Sequence, residues 1–261
     1  MLMWLLLATA HAATPAGIQE AMTEFNQGAV FELPSLSSAQ LDQLAGGQVV
    51  SMLTRKSASD VWRALGIVVA KASQRSVWLS CQDPHYSNVD RVTEFQLAGG
   101  PHTDRASWYG HLDLPMPVVD RHWVVNVWNN HELARQTGGR MWEHPWRVDE
   151  GGLERIRPHV VAGSIPELTE AMLDASIYTP VNDGAWVAIQ LSEGETLLAY
   201  HGATDIGGML PGKLIAQFTA SGMQTLLERV AIRARDEVPQ HYRGNHATVI
   251  GGDGIGIERY P

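Results

Sequence analysis

Apolar positions along this chain recur with more than one period, and each change of period marks an element. After the break at Gly46-Gly47, Val49, Ser51 and Leu53 fall at every second place and predict a first strand. Val61, Trp62, Leu65, Val68 and Val69 recur at three- and four-residue steps, the spacing of a buried helix face capped from Ser57 or Ser59. Alternation returns in Val92 to Leu97, ended by Gly99-Gly100-Pro101, and in Ala106 to Leu112, where Trp108, Gly110 and Leu112 oppose Ser107, Tyr109 and His111. His122 to Asn130 sets Trp123, Val125 and Val127 on one face and Val124, Asn126 and Trp128 on the other. Both faces are partly apolar, which fits a sheet packed on one side and curved around a cavity or helix on the other. Arg140 to Val148 carries Trp142 and Trp146 on one face, before a hairpin-like turn at Glu150-Gly151-Gly152. Trp186 to Leu191 and Thr196 to His201 form the clearest hairpin, across Ser192-Glu193-Gly194-Glu195. Leu214, Ile215, Phe218, Met223, Leu226, Leu227, Val230 and Ala234 then run at helical spacing to about Glu237, where Pro239 ends the helix.

The order is helix, antiparallel strands, then one long carboxy-terminal helix, with no βαβ alternation. That is an α+β arrangement with helices over one face of an antiparallel sheet. Thr14 to Gly47 reads as a leader with one short helix near Ser38 to Leu44, capped by Ser37 or Ser38. Ser76 to Val92 has a poor pattern, and His241 to Pro261 is rich in Gly with little periodicity. The expected divisions are 1–12, an amino-terminal extension over 13–47, a main domain over 48–240 and a tail over 241–261.

Met1 to Ala12 is a short apolar run ending in Ala10-His11-Ala12, the small-residue pattern of a signal peptide, although no Lys or Arg precedes it. The expectation is export, to a bacterial periplasm. The single cysteine, Cys81, excludes an intramolecular disulfide, so such a protein must be stable without that staple. A formal charge of -9, with only 19 Lys and Arg, argues against a nucleic-acid partner. The 11 histidines form no H-E-x-x-H pair and fall on separate segments, so no metal ligands are assigned. Gly252-Asp253-Gly254-Ile255-Gly256 has no helix after it to receive a pyrophosphate, and no G-x-S-x-G elbow occurs. No catalytic residue is assigned.

The 9 tryptophans change the picture, because Trp108, Trp123, Trp128, Trp142, Trp146 and Trp186 fall on or beside predicted strands. Core packing accounts for each alone; together, indoles lining a concave sheet suit a largely apolar ligand. Arg121, a cation opening an apolar strand, needs a partner such as Asp120, Asp205 or a ligand.

The run Pro115-x-Pro117-x-x-Asp120-Arg121-x-Trp123-Val124-Val125, then Gly184-x-Trp186, Thr196 to Tyr200, and Asp205-x-Gly207-Gly208-x-x-Pro211 before a long helix together resemble the START-like, or SRPBCC helix-grip, proteins. These include lipid-transfer domains, polyketide cyclases and coenzyme Q-binding proteins. The likeness covers roughly Gly47 to Glu237 and departs from the family pattern between Ser73 and Pro101. It implies a curved antiparallel sheet around the carboxy-terminal helix, an internal hydrophobic cavity, and a hydrophobic small molecule or lipid as partner, with transient membrane contact and no cofactor. Asp120, Arg121, Gly207, Gly208 and Pro211 are mostly architectural in that family. The candidate pocket residues are Trp123, Trp142, Trp186, Tyr200, Met209, Phe218 and Met223, with Arg121 as polar anchor. The rival reading is a cyclase- or aromatase-type enzyme in which His111, His122 or His201 acts inside the same cavity; a third is an interaction module whose helix packs flush on the sheet.

Overall fold

A computed structural model describes residues 13–55, 61–82, 92–99, 103–114, 118–166, 168–205, 207, 212–243 and 248–257; for helix residues 212–219 and 221 it describes the backbone alone. Thr14 starts α1 (Pro15–Asn26), its side chain accepting from Gly17 N, with proline at the first turn. Ile18, Ala21, Met22 and Phe25 make the buried stripe of that helix. Ser37 starts α2 (Ser38–Ala45) through a capping box with Gln40. The strands β1 (Val50–Thr54) and β2 (Arg63–Ala70) follow, then α3 (Gln74–Gln82). Next come β3 (Val92–Ala98), β4 (Arg105–Leu112), β5 (Arg121–Trp128), α4 (His131–Gln136) and β6 (Met141–Val148). Two short helices, α5 (Gly152–Val161) and α6 (Glu170–Ala175), lead through β7 (Ile177–Tyr178) to the long hairpin β8 (Val181–Ser192) and β9 (Glu195–Asp205). The chain closes with α7 (Gly212–Asp236), the one-turn α8 (Val238–His241), and a small pair, β10 (Val249–Ile250) and β11 (Gly256–Ile257).

Nine strands form one sheet in the order β1-β2-β9-β8-β6-β5-β4-β3, antiparallel throughout except that β7 pairs in parallel with β5. Register assigns the faces. Val68, Leu198, Ala188 and Trp142 share a row, and their apolar cluster includes Leu227, Val230 and Ala234 of α7. This is the inner face. On the outer face Leu65, Ile67, Ala185, Val187, Ile189, Leu197 and Ala199 are buried beneath Ile18, Met22 and Phe25 of α1 and Leu41 and Leu44 of α2. Farther along the same face, Tyr109 and Val124 are buried with Ile156 and Val160 of α5 and Leu173 of α6.

Four sequence expectations differ from this structure. Val61 to Val69 holds a strand, β2, whose residues Ala64 to Ala70 are all buried. A strand covered on both faces reads as a continuous apolar run, and here that run matched helical spacing as well. The poor pattern after Ser76 hides α3, which buries Gln74, Ser76 and Ser80 along with Val77, Trp78, Leu79 and Cys81 and so shows no polar face. Gly151 and Gly152 open α5 instead of turning a hairpin. The leader carries α1 as well as α2, and both belong to the outer-face core. The proline turn at 115–117 and the corner at 208–211 lie outside the described residues, as do 1–12. No helix among the described residues is long and apolar enough to cross a membrane.

Candidate functional site

The inner face divides into two parts. Beside α3 and the second half of α7, Val68, Ala70, Leu198 and Ala188 are buried against Leu227 and Val230. A Cβ added at Gly66 would stand 2.7 Å from Leu227 Cδ1, so helix and sheet are in direct contact there. Toward β3, β4, β5 and the far end of β8 and β9 the lining changes to aromatic. Trp108, Trp123, Trp186 and Tyr200 are only half-buried on this inner face, with Trp186 and Tyr200 packing against the edge of the same apolar cluster. Trp186 and Tyr200 meet at 4.5 Å between ring centroids, and Tyr200 meets Trp146 at 5.3 Å.

Glycines let these rings lie against the sheet. A Cβ at Gly184 would come within 2.3 Å of the Trp146 ring, and one at Gly110 within 2.5 Å of Trp123. A ring laid over a glycine covers the strand with little height. Trp146 is fixed by donating from Nε1 to Asn182 Oδ1 at 3.1 Å.

Glu94, Tyr200 and His144 also lie on this face. Glu94 sits opposite Gly110 in the register and keeps contact with solvent, yet burial of its carboxyl raises its pKa above the usual carboxylate range. Burial pushes the Tyr200 phenol up to about 12, and the charge of Glu94 adds to the effect. His144, 9% exposed, is pulled down to about 4 by burial. Its Nδ1 lies 2.6 Å from Asn129 Oδ1, while Asn129 Nδ2 donates to Gly251 O at 3.0 Å. Here the carboxy-terminal segment closes one end of the inner face. Trp78 Nε1 donates to Ile250 O at 3.0 Å, and Trp142 packs so closely that a Cβ at Gly252 would lie 2.4 Å from its ring. A cavity of about 40 Å³ remains there, lined by Gln82, Gln96, Trp108, Val127, Asn129, His144 and Ile250, among others.

Of the residues expected to line a pocket, Trp123, Trp186 and Tyr200 lie half-buried in the aromatic part. Trp142 and Met223 belong to the packed part, at 2% and 1% exposed. Met209 lies outside the described residues, and of Phe218 only the backbone is described. Arg121 is 3% exposed, and its guanidinium donates to the carbonyls of Val119, Asp120 (3.4 Å) and Gly207 (3.4 Å). Its neighbour Asp120 accepts from Leu114 N at 2.9 Å, and Asp205 Oδ1 accepts from Gly207 N at 2.9 Å. The two motif segments are thus tied together through Arg121.

The three histidines named for the enzyme reading are on the outer face. His201 lies beside Arg63 Nη1 at 3.1 Å and edge-on to Phe31. His122 packs edge-on to Tyr109 and Tyr178, and His111 lies within 3.3 Å of Ser176. Sequence reasoning did not single out Glu94, Gln82 or His144 for the pocket. The alternation that places Trp142 and Trp146 together puts His144 on their face, and that signal was available. No cluster of metal-ligating side chains occurs among the described residues.

No family model matches the chain, and no curated protein matches it. Solved structures do. A fragment, residues 25–204, of the STAR-related lipid transfer protein from Xanthomonas axonopodis aligns at a TM-score of 0.51 with 14% identity, covering 72% of this chain and 94% of that one. Human STARD10 aligns at 0.52 with 10% identity, covering 72% of this chain and 74% of that one. The chain has the START-like, α+β helix-grip fold.

Proposed function

We propose that this START-like chain binds an apolar small molecule or lipid between the aromatic part of the inner face and α7. The observation that carries the reading is the set of half-buried rings, Trp108, Trp123, Trp186 and Tyr200, on the face that elsewhere packs flush against the helix. Large apolar side chains left part-open gain from burial by a ligand, at about 25 cal/mol per Å² before the costs of association. The Xanthomonas axonopodis protein is a STAR-related lipid transfer protein, which supports the same reading. Transfer, with transient membrane contact, is the role that follows if the ligand exchanges with a bilayer.

Organic extraction of the purified protein followed by mass spectrometry tests the proposal. The expected result is a reproducible apolar molecule at a near-stoichiometric level. Repeated extraction without one, together with failure of added lipids to change tryptophan emission, would overturn it. We further propose export with removal of 1–12; amino-terminal sequencing that starts at Met1 on protein from the native cell rejects it.

A further inference from the structure

The closed end of the inner face holds polar groups that the apolar reading does not use. Asn129 fixes their orientation. Its Nδ2 donates to Gly251 O, so its Oδ1 is the acceptor that faces His144 Nδ1 at 2.6 Å. His144 Nδ1 therefore carries the proton, and in the neutral ring Nε2 is left as an acceptor. Burial keeps that ring neutral at ordinary pH. Across the same cavity stands Gln82, at the end of α3, whose Nε2 is buried with no hydrogen-bond partner among the described residues. A buried donor without a partner carries a desolvation cost that a bound group could relieve.

The cavity thus sets the His144 acceptor and the unused Gln82 donor in one lining, beside Gln96 and Thr103 and walled by Trp108 and Val127. At about 40 Å³ it has room for a hydroxyl group or a water molecule. We infer that this end of the groove is a subsite for the hydroxyl of a neutral, otherwise apolar alcohol, donating to His144 Nε2 and accepting from Gln82 Nε2. The inference rests on the apolar-ligand proposal and names its ligand class. A hydroxyl serves both partners at once. A carboxylate only accepts, so it sets an anion against the His144 lone pair. An alkane leaves both groups unpaired. The apolar body of the ligand then lies along Trp123, Trp186 and Tyr200.

Long-chain and polycyclic alcohols share this chemistry, and the test separates them. Binding of dodecan-1-ol, cholesterol, dodecanoate and dodecane to the full chain is measured by native mass spectrometry and tryptophan quenching. At least one alcohol is expected to bind about tenfold tighter than dodecanoate and dodecane, and the tighter of the two alcohols identifies the shape of the body. Gln82→Leu removes a donor that has no partner to lose, so it should fold normally and bring the alcohol-to-dodecane ratio toward one. His144→Leu is the second variant, with circular dichroism as the check on folding. Equal binding of alcohol, acid and alkane, or a preference that Gln82→Leu leaves intact, overturns the hydroxyl subsite while keeping the apolar pocket. Absence of binding by every probe overturns both.

Discussion

The two faces of the large sheet both carry apolar side chains and end in different states. On the outer face Leu65, Ile67, Ala185, Val187, Ile189, Leu197 and Ala199 are medium or small, and α1 and α2 close over them completely. The inner face carries the large rings Trp108, Trp123, Trp186 and Tyr200, and these stay half-buried. Interdigitating aliphatic residues reach interior density; bulky planar rings under one helix do so less readily. The polar groups divide less cleanly, since His201 Nε2 on the outer face and Gln82 Nε2 on the inner side are both buried without a partner among the described residues. Outer-face Glu143 has its carboxylate fully engaged, by Val30 N at 2.8 Å, Phe31 N at 3.0 Å and Asn130 Nδ2 at 2.7 Å. Inner-face Gln82 has an unused donor. The apolar part of the outer face is finished by the chain itself, whereas the rings of the inner face stay part-open.

That contrast can be broken most sharply at Glu143. Glu143→Ala strands three donors, and chemical denaturation should register a loss of roughly 3–5 kcal/mol. Leu197→Ala, within the outer core, is expected to lose about 3 kcal/mol in the same measurement. A loss below about 1 kcal/mol at both positions would mean that the outer face is not the stabilising one.

A smaller effect comes from pH. Burial lowers His122 to about 4 and His201 to about 3, the latter with help from Arg63. The folded values lie below that of an unfolded histidine, about 6.5, so the unfolded chain binds more protons through the window from 6.5 downward. Stability therefore falls as pH drops through that window, by on the order of 1–2 kcal/mol for each histidine between pH 7 and pH 5. His201→Gln and His122→Gln should each flatten a plot of stability against pH; an unchanged slope counts against the buried neutral state. The smallest stability effect is expected on the inner face. Trp186→Leu should cost about 1 kcal/mol or less while weakening apolar probe binding about tenfold. A large stability loss with unchanged binding would make Trp186 an ordinary core residue.

Much of the sheet is legible in the sequence because one-sided elements keep their period. The β8/β9 hairpin, β4, β5 and the long α7 fall close to the expected places, and Ser37 is the cap of α2. What escaped is what is buried all round. Neither β2 nor α3 presents a polar face, so neither advertises its type. Within the site, alternation set Trp123 and the hairpin residues Trp186 and Tyr200 on strands, but not how deeply each would sink. Trp142 ended in the packed part because Trp78 and Gly252, distant in sequence, close over it. The histidines of the enzyme reading sit behind the sheet because a single step in register moves a side chain to the opposite face.

The link from Glu143 to the amides of Val30 and Phe31 spans 113 and 112 residues of chain. It also sets an order of events. The Glu143 link can form only after β6 exists, and α1 packs on β8, so a nascent chain holds α1 without that strand for more than a hundred residues of synthesis. Contacts of such long range make folding slow and leave apolar surface open in the meantime. Docking of α1 on the later strands is then a step at which this chain is expected to depend on protection from aggregation.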